Sequence, residues 1–357
     1  MKNTIYLLLA ALTMTNYSFA QEDVESKTEK EDEEKLEVFG SVDIYWKYDF
    51  SGYTNSDGTS NIGASFADNQ NSLSIGMLDI GLSKKVGRTS FLGEFSFGPR
   101  SFKSIPTFQI DSADDININI QNLLITYDIT NKLSVTAGYM GTFVGYEVIS
   151  PTGNFNYSTS YLFSFGPFQN AGLRFDYSVS DNFGLMVGVF NDWNVYQDFN
   201  GVSDFGAQIY WSPMDGYDIY LNFLTGDPSG TIIDLTTGFQ MSDKFYLGIN
   251  AANYTAQDES GYYGVALYPQ LSLGESFSIG LRSEYFSTKE VKNESGQTLI
   301  EGENVFSNTI TGNYYLGPLT VSTELRLDGT SSDLFYDSES IQTNSASQFL
   351  IAAIFAF

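Results

Sequence analysis

Cysteine and histidine are both absent from the 357 residues of this chain. Their absence excludes disulfides, thiolate metal sites and imidazole as a catalytic base, so we expect no enzyme, no cofactor and no metal site. Basic residues are scarce, with 17 Lys and Arg against 43 Asp and Glu, which disfavours nucleic acid as a partner. Beyond the first 20 residues, no apolar run approaches the roughly 18 residues of a membrane-spanning helix.

The first 35 residues are expected to precede the folded part of the chain. Residues 1–20 combine Lys2, an apolar run and a small-residue ending at Ala20, which predicts a secretory signal peptide. Gln21, rather than a cysteine, follows, so a lipoprotein anchor has no support. Residues 21–35 hold eight acidic side chains and little apolar surface, and we expect a disordered, acidic periplasmic leader. The folded domain then spans residues 36–357.

The last eleven residues, Ser347 to Phe357, form an apolar segment that ends on an aromatic ring. In a soluble sheet this segment would be an exposed edge and would promote aggregation. Leu36 to Phe50 alternates apolar and polar residues and exceeds the roughly 9 to 11 residues that cross a bilayer as a tilted strand. Pairing these two segments predicts an all-β fold, a closed antiparallel transmembrane β-barrel. A soluble β-sandwich or solenoid is the alternative.

Tight turns alternate with long polar loops along the rest of the chain. The tight turns fall near Gly87, Asn131, Asn182, Asp215, Asp243, Glu275 and Gly317. The long loops are Ser51 to Gln70, Pro99 to Asp115, Glu147 to Phe168, Asn191 to Ser203, Ser287 to Glu303 and Asp328 to Ser345, with two shorter ones near Asp227 and Asp258. Short periplasmic turns and long extracellular loops are typical of outer-membrane barrels, and this pattern predicts about 16 strands.

A count of 14 strands is the alternative, because the alternation is irregular at three places. It slips after Met77 and near Asn122, as a bulge or a misassigned strand would cause, and Pro269 interrupts a predicted strand. The strand beginnings are more regular. Five of the seven first outward residues after the turns are aromatic, which indicates a girdle of rings at a membrane interface. These seven residues are Phe91, Leu133, Phe183, Tyr217, Phe245, Phe277 and Leu319.

Several segments together resemble one known family. They are Phe39 to Tyr45, Phe97-Gly-Pro-Arg100, Thr136 to Glu147, Asn154 to Phe168 and Gly184 to Asp192. In these segments the chain resembles the OmpL-like β-barrel porins of Bacteroidota, and the similarity extends from about Phe39 to the C-terminus. The resemblance implies an outer-membrane barrel with a porin-like role. It brings no substrate and no catalytic or ligand residues.

Charged residues at the inward positions of the predicted strands would line a pore, because charge facing lipid is costly. The predicted pore-lining residues are Asp43, Glu94, Arg174, Asp176, Asp218, Arg282, Glu284, Glu324 and Arg326. Arg282 with Glu284, and Glu324 with Arg326, would place a transverse field across a wide channel. Internal salt bridges that stiffen or plug the barrel are the alternative.

The loop from Glu147 to Phe168 is richer in aromatic and amide side chains than the other loops, which favours a position against a wall over exposure to water. We therefore predict that this loop folds inward and constricts the pore, and a surface cap is the alternative. The predicted constriction residues are Glu147, Asn154, Asn156, Tyr157 and Tyr161.

The predicted function is that of an outer-membrane porin that allows passive diffusion of small hydrophilic solutes. The acidic excess favours cations over anions. The alternative is a plugged barrel that serves as an adhesin, a scaffold or an export partner. The expected partners are outer-membrane lipid and small solutes or ions. A homo-trimer is expected only by analogy with general porins, because the lipid-facing pattern shows no obvious protein-contact patch. The expected location is the bacterial outer membrane.

Overall fold

A computed structural model describes residues 35–104, 119–292 and 298–357. The predicted signal peptide and nearly all of the predicted leader lie outside these residues. Sixteen antiparallel strands form one closed barrel in which every strand pairs with its neighbours in the chain. The barrel strands are β1 (Glu37–Asp49), β2 (Leu73–Val86), β3 (Thr89–Phe97), β4 (Asn119–Asp128), β5 (Leu133–Gly141), β6 (Gln169–Ser180), β7 (Phe183–Phe190), β8 (Asp204–Trp211), β9 (Tyr217–Gly226), β10 (Gly230–Gln240), β11 (Phe245–Thr255), β12 (Gly261–Ser272), β13 (Phe277–Thr288), β16 (Asn304–Leu316), β17 (Leu319–Thr330) and β20 (Ser345–Ala356).

The remaining elements are small and lie in the long loops. Two short hairpins follow β13 and β17, and two helices and one 3-10 turn lie in the loops after β3 and β5. No helix within the described residues is both long and apolar enough to cross a membrane. These elements are β14 (Val291–Lys292) with β15 (Thr298–Ile300), β18 (Phe335–Tyr336) with β19 (Gln342–Thr343), α1 (Pro99–Ser104), α2 (Tyr161–Phe165) and the 3-10 turn Pro151–Gly153.

The last strand closes the barrel on the first, as the sequence predicts. The ladder between β1 and β20 runs from Ser41 opposite Ala356 to Asp49 opposite Gln348. Beyond it, Phe357 and Gly40 exchange two backbone hydrogen bonds of 3.0 Å each. Each closing strand therefore has a partner on both sides, and the barrel has no free edge at this seam.

The count of 16 strands is confirmed, and the alternative of 14 is wrong. The slip after Met77 is a bulge, because Asp43 alone lies opposite Gly76 and Met77 between two regular pairs. A second bulge leaves Gln121 unpaired in the β3–β4 ladder. Pro269 lies inside β12, where the ladder to β11 is continuous and the ladder to β13 resumes at Gln270. The irregularities therefore fall within strands.

On most strands the inward face is more polar than the outward face, whereas β7 and β20 also carry buried apolar side chains such as Phe190 and Leu350 on the inward face. On β1 the inward residues Ser41, Asp43 and Lys47 are buried, whereas Val42 and Ile44 point outward and are exposed. The same alternation continues around the barrel. Outward aliphatic and aromatic side chains remain about half exposed, which is stable only where hydrocarbon surrounds them. Examples between 43 and 59 % exposed are Ile44, Ile125, Val187, Phe306 and Ile310.

The two ends of the barrel differ in connection length. Seven turns of two to five residues lie at one end, and the long loops lie at the other. Gly87 (φ +58°) and Gly317 (φ +63°) adopt left-handed backbone conformations in two of the three two-residue turns, which glycine accepts without strain. The predicted ring girdle lies at the short-turn end, where Phe91 and Phe277 are exposed on the outer face. The arrangement agrees with the predicted pattern.

Candidate functional site: the lumen and its inner loop

The loop between β5 and β6, residues 142–168, lies inside the barrel, and we call it the inner loop. It contains the segment that the sequence predicts to fold inward. Near its start, Gly145 donates its backbone N–H to Asp234 on β10 at 3.0 Å. Farther along, Ser150 bonds to Asp79 on β2 at 3.0 Å. The inner loop therefore spans the lumen from one wall to another.

Two wall carboxylates hold the backbone of the inner loop. Glu324 on β17 accepts the N–H groups of Tyr157 and Ser158 at 2.6 and 3.1 Å. Glu284 on β13 accepts the N–H groups of the first two residues of α2 at 2.9 and 2.7 Å. Backbone N–H groups at the start of a helical turn have no partner within the helix, so a carboxylate satisfies them and offsets its own burial.

Two positively charged wall residues, both arginines, hold the same stretch of the inner loop. Arg282 on β13 forms an ion pair with Glu147 at 2.9 Å, and Arg326 on β17 forms one with Asp328 at 2.9 Å. Each guanidinium also donates to a backbone carbonyl of the inner loop. Each guanidinium thus has a carboxylate and a backbone carbonyl as acceptors, which offsets part of the cost of removing it from water.

The four wall charges are bonded within the inner-loop contact. Glu284 and Glu324 bind the loop backbone, and Arg282 and Arg326 form ion pairs with Glu147 and Asp328. Internal salt bridges of this kind are the alternative that the sequence leaves open beside a transverse field. The charged side chains in this contact are between 0 and 6 % exposed, so they do not line open water. The geometry therefore does not support a transverse field from these four wall residues across a wide channel.

Two tyrosines of the inner loop bond to wall carboxylates. Tyr157 donates its hydroxyl to Asp43 on β1, and Tyr161 donates its hydroxyl to Asp328 at 2.8 Å. Burial raises the pKa of both phenols well above the usual range, and the neighbouring carboxylate acts in the same direction. The two phenols therefore remain protonated hydrogen-bond donors. The Arg326 guanidinium also lies 5.0 Å from the centre of the Tyr161 ring.

The two predicted amides have different roles in the inner loop. Asn156 reaches the wall, where its side-chain amide donates to Thr311 on β16 at 2.6 Å. Asn154 instead closes the loop on itself, because it exchanges hydrogen bonds with the backbone of Val148 at 2.9 and 2.6 Å. All five predicted constriction residues thus belong to one bonded unit. Their effect on the pore stays a prediction.

Three aromatic rings of the inner loop fit against glycines of the wall, which the sequence did not predict. Phe143 lies against Gly206 on β8, Tyr146 against Gly248 on β11, and Phe155 against Gly280 on β13. A Cβ atom at these glycines would lie 2.6, 2.2 and 2.4 Å from the nearest atom of the aromatic side chain. Each glycine therefore gives a ring its space. The spacing of these glycines in the sequence carries no such signal, because it depends on the path of the loop.

Arg100 of α1 is a further contact that was not singled out as a site residue. Its Nε donates to the backbone carbonyl of Ile149 at 2.7 Å, and its guanidinium lies 4.5 and 5.1 Å from the ring centres of Phe66 and Tyr157. The segment between β1 and β2 thus joins the inner loop through Phe66. The one available signal was that Arg100 lies within a segment that carries the family resemblance.

The remaining predicted pore residues lie on the other side of the lumen, and the inner loop does not cover them fully. Arg174 and Asp176 on β6 form an ion pair at 3.0 Å with side chains 16 and 34 % exposed. Asp218 on β9 accepts a hydrogen bond from Tyr210 at 2.8 Å, and Glu94 on β3 accepts one from Asn122. Glu94 and Asp218 are also partly exposed. Within the described ranges, no group of three or more acidic side chains is arranged to hold a metal ion.

The comparisons with known proteins agree with this architecture. The family model described as "Putative beta-barrel porin-2, OmpL-like" matches residues 35–357. A search of curated proteins found none that matches the chain.

Solved porin structures share the fold at low identity. The outer-membrane channel DcaP of Acinetobacter baumannii is 12 % identical with a TM-score of 0.57, over 90 % of this chain and 97 % of that one. The anion-selective porin from Comamonas acidovorans is 11 % identical with a TM-score of 0.57, over 90 and 99 %. OmpF of Salmonella typhi is 11 % identical with a TM-score of 0.56, over 90 and 97 %.

At these identities the likeness shows a common barrel fold and does not identify the solute. The family match covers the whole described barrel, and the closed sheet with its apolar exterior is the structure that such a family requires. The chain therefore belongs to the OmpL-like putative β-barrel porin-2 family and is a porin-type barrel of the bacterial outer membrane.

Proposed function

We propose that the protein is a diffusion channel for small hydrophilic solutes, with a preference for cations, and that it has no enzymatic activity. In this proposal the inner loop is the constriction, and solutes pass between it and the part of the wall that carries Glu94, Arg174, Asp176 and Asp218. The observation that carries the proposal is the division of the lumenal charges. The charges on one side are buried against the inner loop, and those on the other side are partly exposed.

The charges on the proposed path leave a negative excess. By strand alternation, Lys85 and Asp128 also face inward near the short turns, where they form an ion pair at 2.9 Å. That pair and the pair of Arg174 with Asp176 are each neutral. Glu94 and Asp218 bond to neutral donors, so the path carries two basic groups against four acidic groups, an acidic excess. Fixed negative charge in a narrow, weakly screened passage concentrates cations and repels anions.

The test is conductance in a planar lipid bilayer under a potassium chloride gradient. We expect stable ohmic steps and a reversal potential of the sign that cation preference gives, larger at low than at high salt. A reversal potential of zero or of the opposite sign would contradict the cation preference. We also propose a homo-trimer, because a solved neighbour, OmpT of Vibrio cholerae, is described in a trimer form. The mass of the protein in its detergent complex would distinguish a trimer from a monomer.

A barrel that is closed to solutes and serves as an adhesin, scaffold or export partner is the second candidate. The tightness of the inner-loop contact favours it, because its side chains are nearly inaccessible. They are Asn156, Tyr157, Glu147, Arg282, Glu284, Glu324, Arg326 and Asp328. This candidate predicts a folded barrel in outer-membrane lipid that gives no conductance steps. The same bilayer measurement therefore separates the two candidates.

A further inference from the structure

Three tyrosines and one aspartate form a continuous surface on the lumenal wall near the short turns. They are Tyr210 on β8, Asp218 and Tyr220 on β9, and Tyr246 on β11, and we call them the tyrosine face. All four side chains are partly exposed. The buried tyrosines of the inner loop, in contrast, are inaccessible, so these four present their rings and carboxylate to anything that passes.

The rings and the carboxylate are held close together. The ring centres of Tyr210 and Tyr220 are 5.0 Å apart with planes inclined by 32°. Tyr210 donates its hydroxyl to Asp218 at 2.8 Å. The Tyr210 ring also lies 3.7 Å from where a Cβ atom on Gly184 would be, so the ring lies along the wall.

Tyr246 borders the same carboxylate on its other side. Its hydroxyl lies over Gly238, where an added Cβ atom would be only 2.6 Å away. Gly238 is the direct partner of Asp218 in the β9–β10 ladder, so the Tyr246 hydroxyl lies beside Asp218. The hydroxyl also bonds to Tyr146 of the inner loop at 3.2 Å. Asp218 therefore lies among three aromatic side chains.

Aromatic faces beside a carboxylate attract one kind of small solute. The negative face of each ring and the negative charge of Asp218 both favour a cation, and a cation with alkyl substituents also gains from contact with the rings. A strongly hydrated inorganic cation gains little from the rings. We propose that the tyrosine face is a weak binding site for small organic ammonium cations, and this rests on the proposed cation-preferring channel.

The experiment measures binding of choline chloride to the detergent-solubilised protein by saturation-transfer NMR, and block of the potassium current by choline in a bilayer. Tyr220→Leu should weaken choline binding about two- to fivefold, the value of one cation–π contact at a partly exposed site. Tyr220→Phe keeps the ring and should bind choline within about twofold of the unaltered protein. Asp218→Asn should weaken binding about two- to fivefold at low salt and less at high salt.

Tyr177→Leu is the matched control, because Tyr177 is a barrel tyrosine that points outward and is 45 % exposed there. It should leave choline binding unchanged. Binding without conductance would support the site and contradict the channel. Conductance without choline binding, or equal binding by Tyr220→Leu, would overturn the site and leave the channel intact. Binding of glucose in place of choline, lost in Tyr220→Phe, would also overturn it, because the hydroxyl would then recognise a neutral sugar.

Discussion

Glu324 and Asp218 are two lumenal carboxylates with different roles, one in holding the inner loop and one on the proposed solute path. Replacing each of them by its amide distinguishes the two roles. Glu324 accepts two backbone N–H groups of the inner loop, whereas Asp218 is partly exposed on the proposed path. In Glu324→Gln one N–H would face the amide NH2 group, at a cost on the order of 1 to 3 kcal/mol. We expect a looser inner loop, visible as noisier conductance and a lower unfolding temperature in detergent, with little change in reversal potential.

Asp218→Asn is the matched substitution, since it removes the same charge from the exposed side. Its carboxylate bonds to the hydroxyl of Tyr210, which can also donate to an amide oxygen. We expect quiet conductance, an unchanged unfolding temperature and a reversal potential shifted toward zero. Equal shifts of reversal potential in both variants would contradict the division of the lumen into a loop-bound side and a solute-bound side.

For single residues, the sequence predicts on which side of the sheet a side chain lies much better than it predicts the residue to which that side chain bonds. Alternation correctly placed Asp43, Arg282 and Glu324 on the inner face, because lipid excludes charge from the outer one. It could not predict that Arg282 pairs with Glu147, which lies 135 positions away, because the path of the inner loop decides that contact. Asp328 and Arg100 were missed for the same reason.

The inner loop as an element should control the size of the current. Deleting residues 154–161 removes Tyr157 and Tyr161, together with both N–H groups that Glu324 accepts and one of the two that Glu284 accepts. Water can then reach that side of the lumen, and we expect a higher single-channel conductance in the bilayer. Replacing the same eight residues with a Gly-Ser stretch of equal length is the control, because it keeps the chain length and the backbone N–H groups and removes the side-chain contacts of Asn156, Tyr157 and Tyr161 with the wall.

The control should give noisy currents between those of the original and the deleted loop. Unchanged conductance in the deletion would mean that the inner loop does not constrict the path.

Short helices within loops are harder to predict from the sequence than strands. The strands follow from period-2 alternation and turn residues, whereas α2 has only five residues and begins where Glu284 meets its first N–H groups. Tertiary contact therefore adds to a local N-cap, in which the Ser160 hydroxyl accepts the N–H of Phe163, in setting such a short helix.

On the scale of the whole molecule, the closed sheet and its apolar exterior depend on each other. Closure gives the backbone N–H and C=O groups of the strands hydrogen-bond partners, and the outward apolar side chains then require hydrocarbon rather than water around them. The chain reduced to residues 35–357 contains every strand of the barrel. We expect it to refold in detergent into a monodisperse barrel whose electrophoretic mobility changes on heating, and to aggregate in plain buffer.

A second chain that also lacks residues 351–357 is the control for closure. It loses most of the β1–β20 ladder and both bonds between Gly40 and Phe357, so one long edge of β1 is left without its partner. We expect this chain to show no heat-dependent change in mobility in the same detergent. If residues 35–357 instead stayed monodisperse in buffer without detergent, the outward residues could not be a lipid-facing surface, and the barrel would have to be a soluble one.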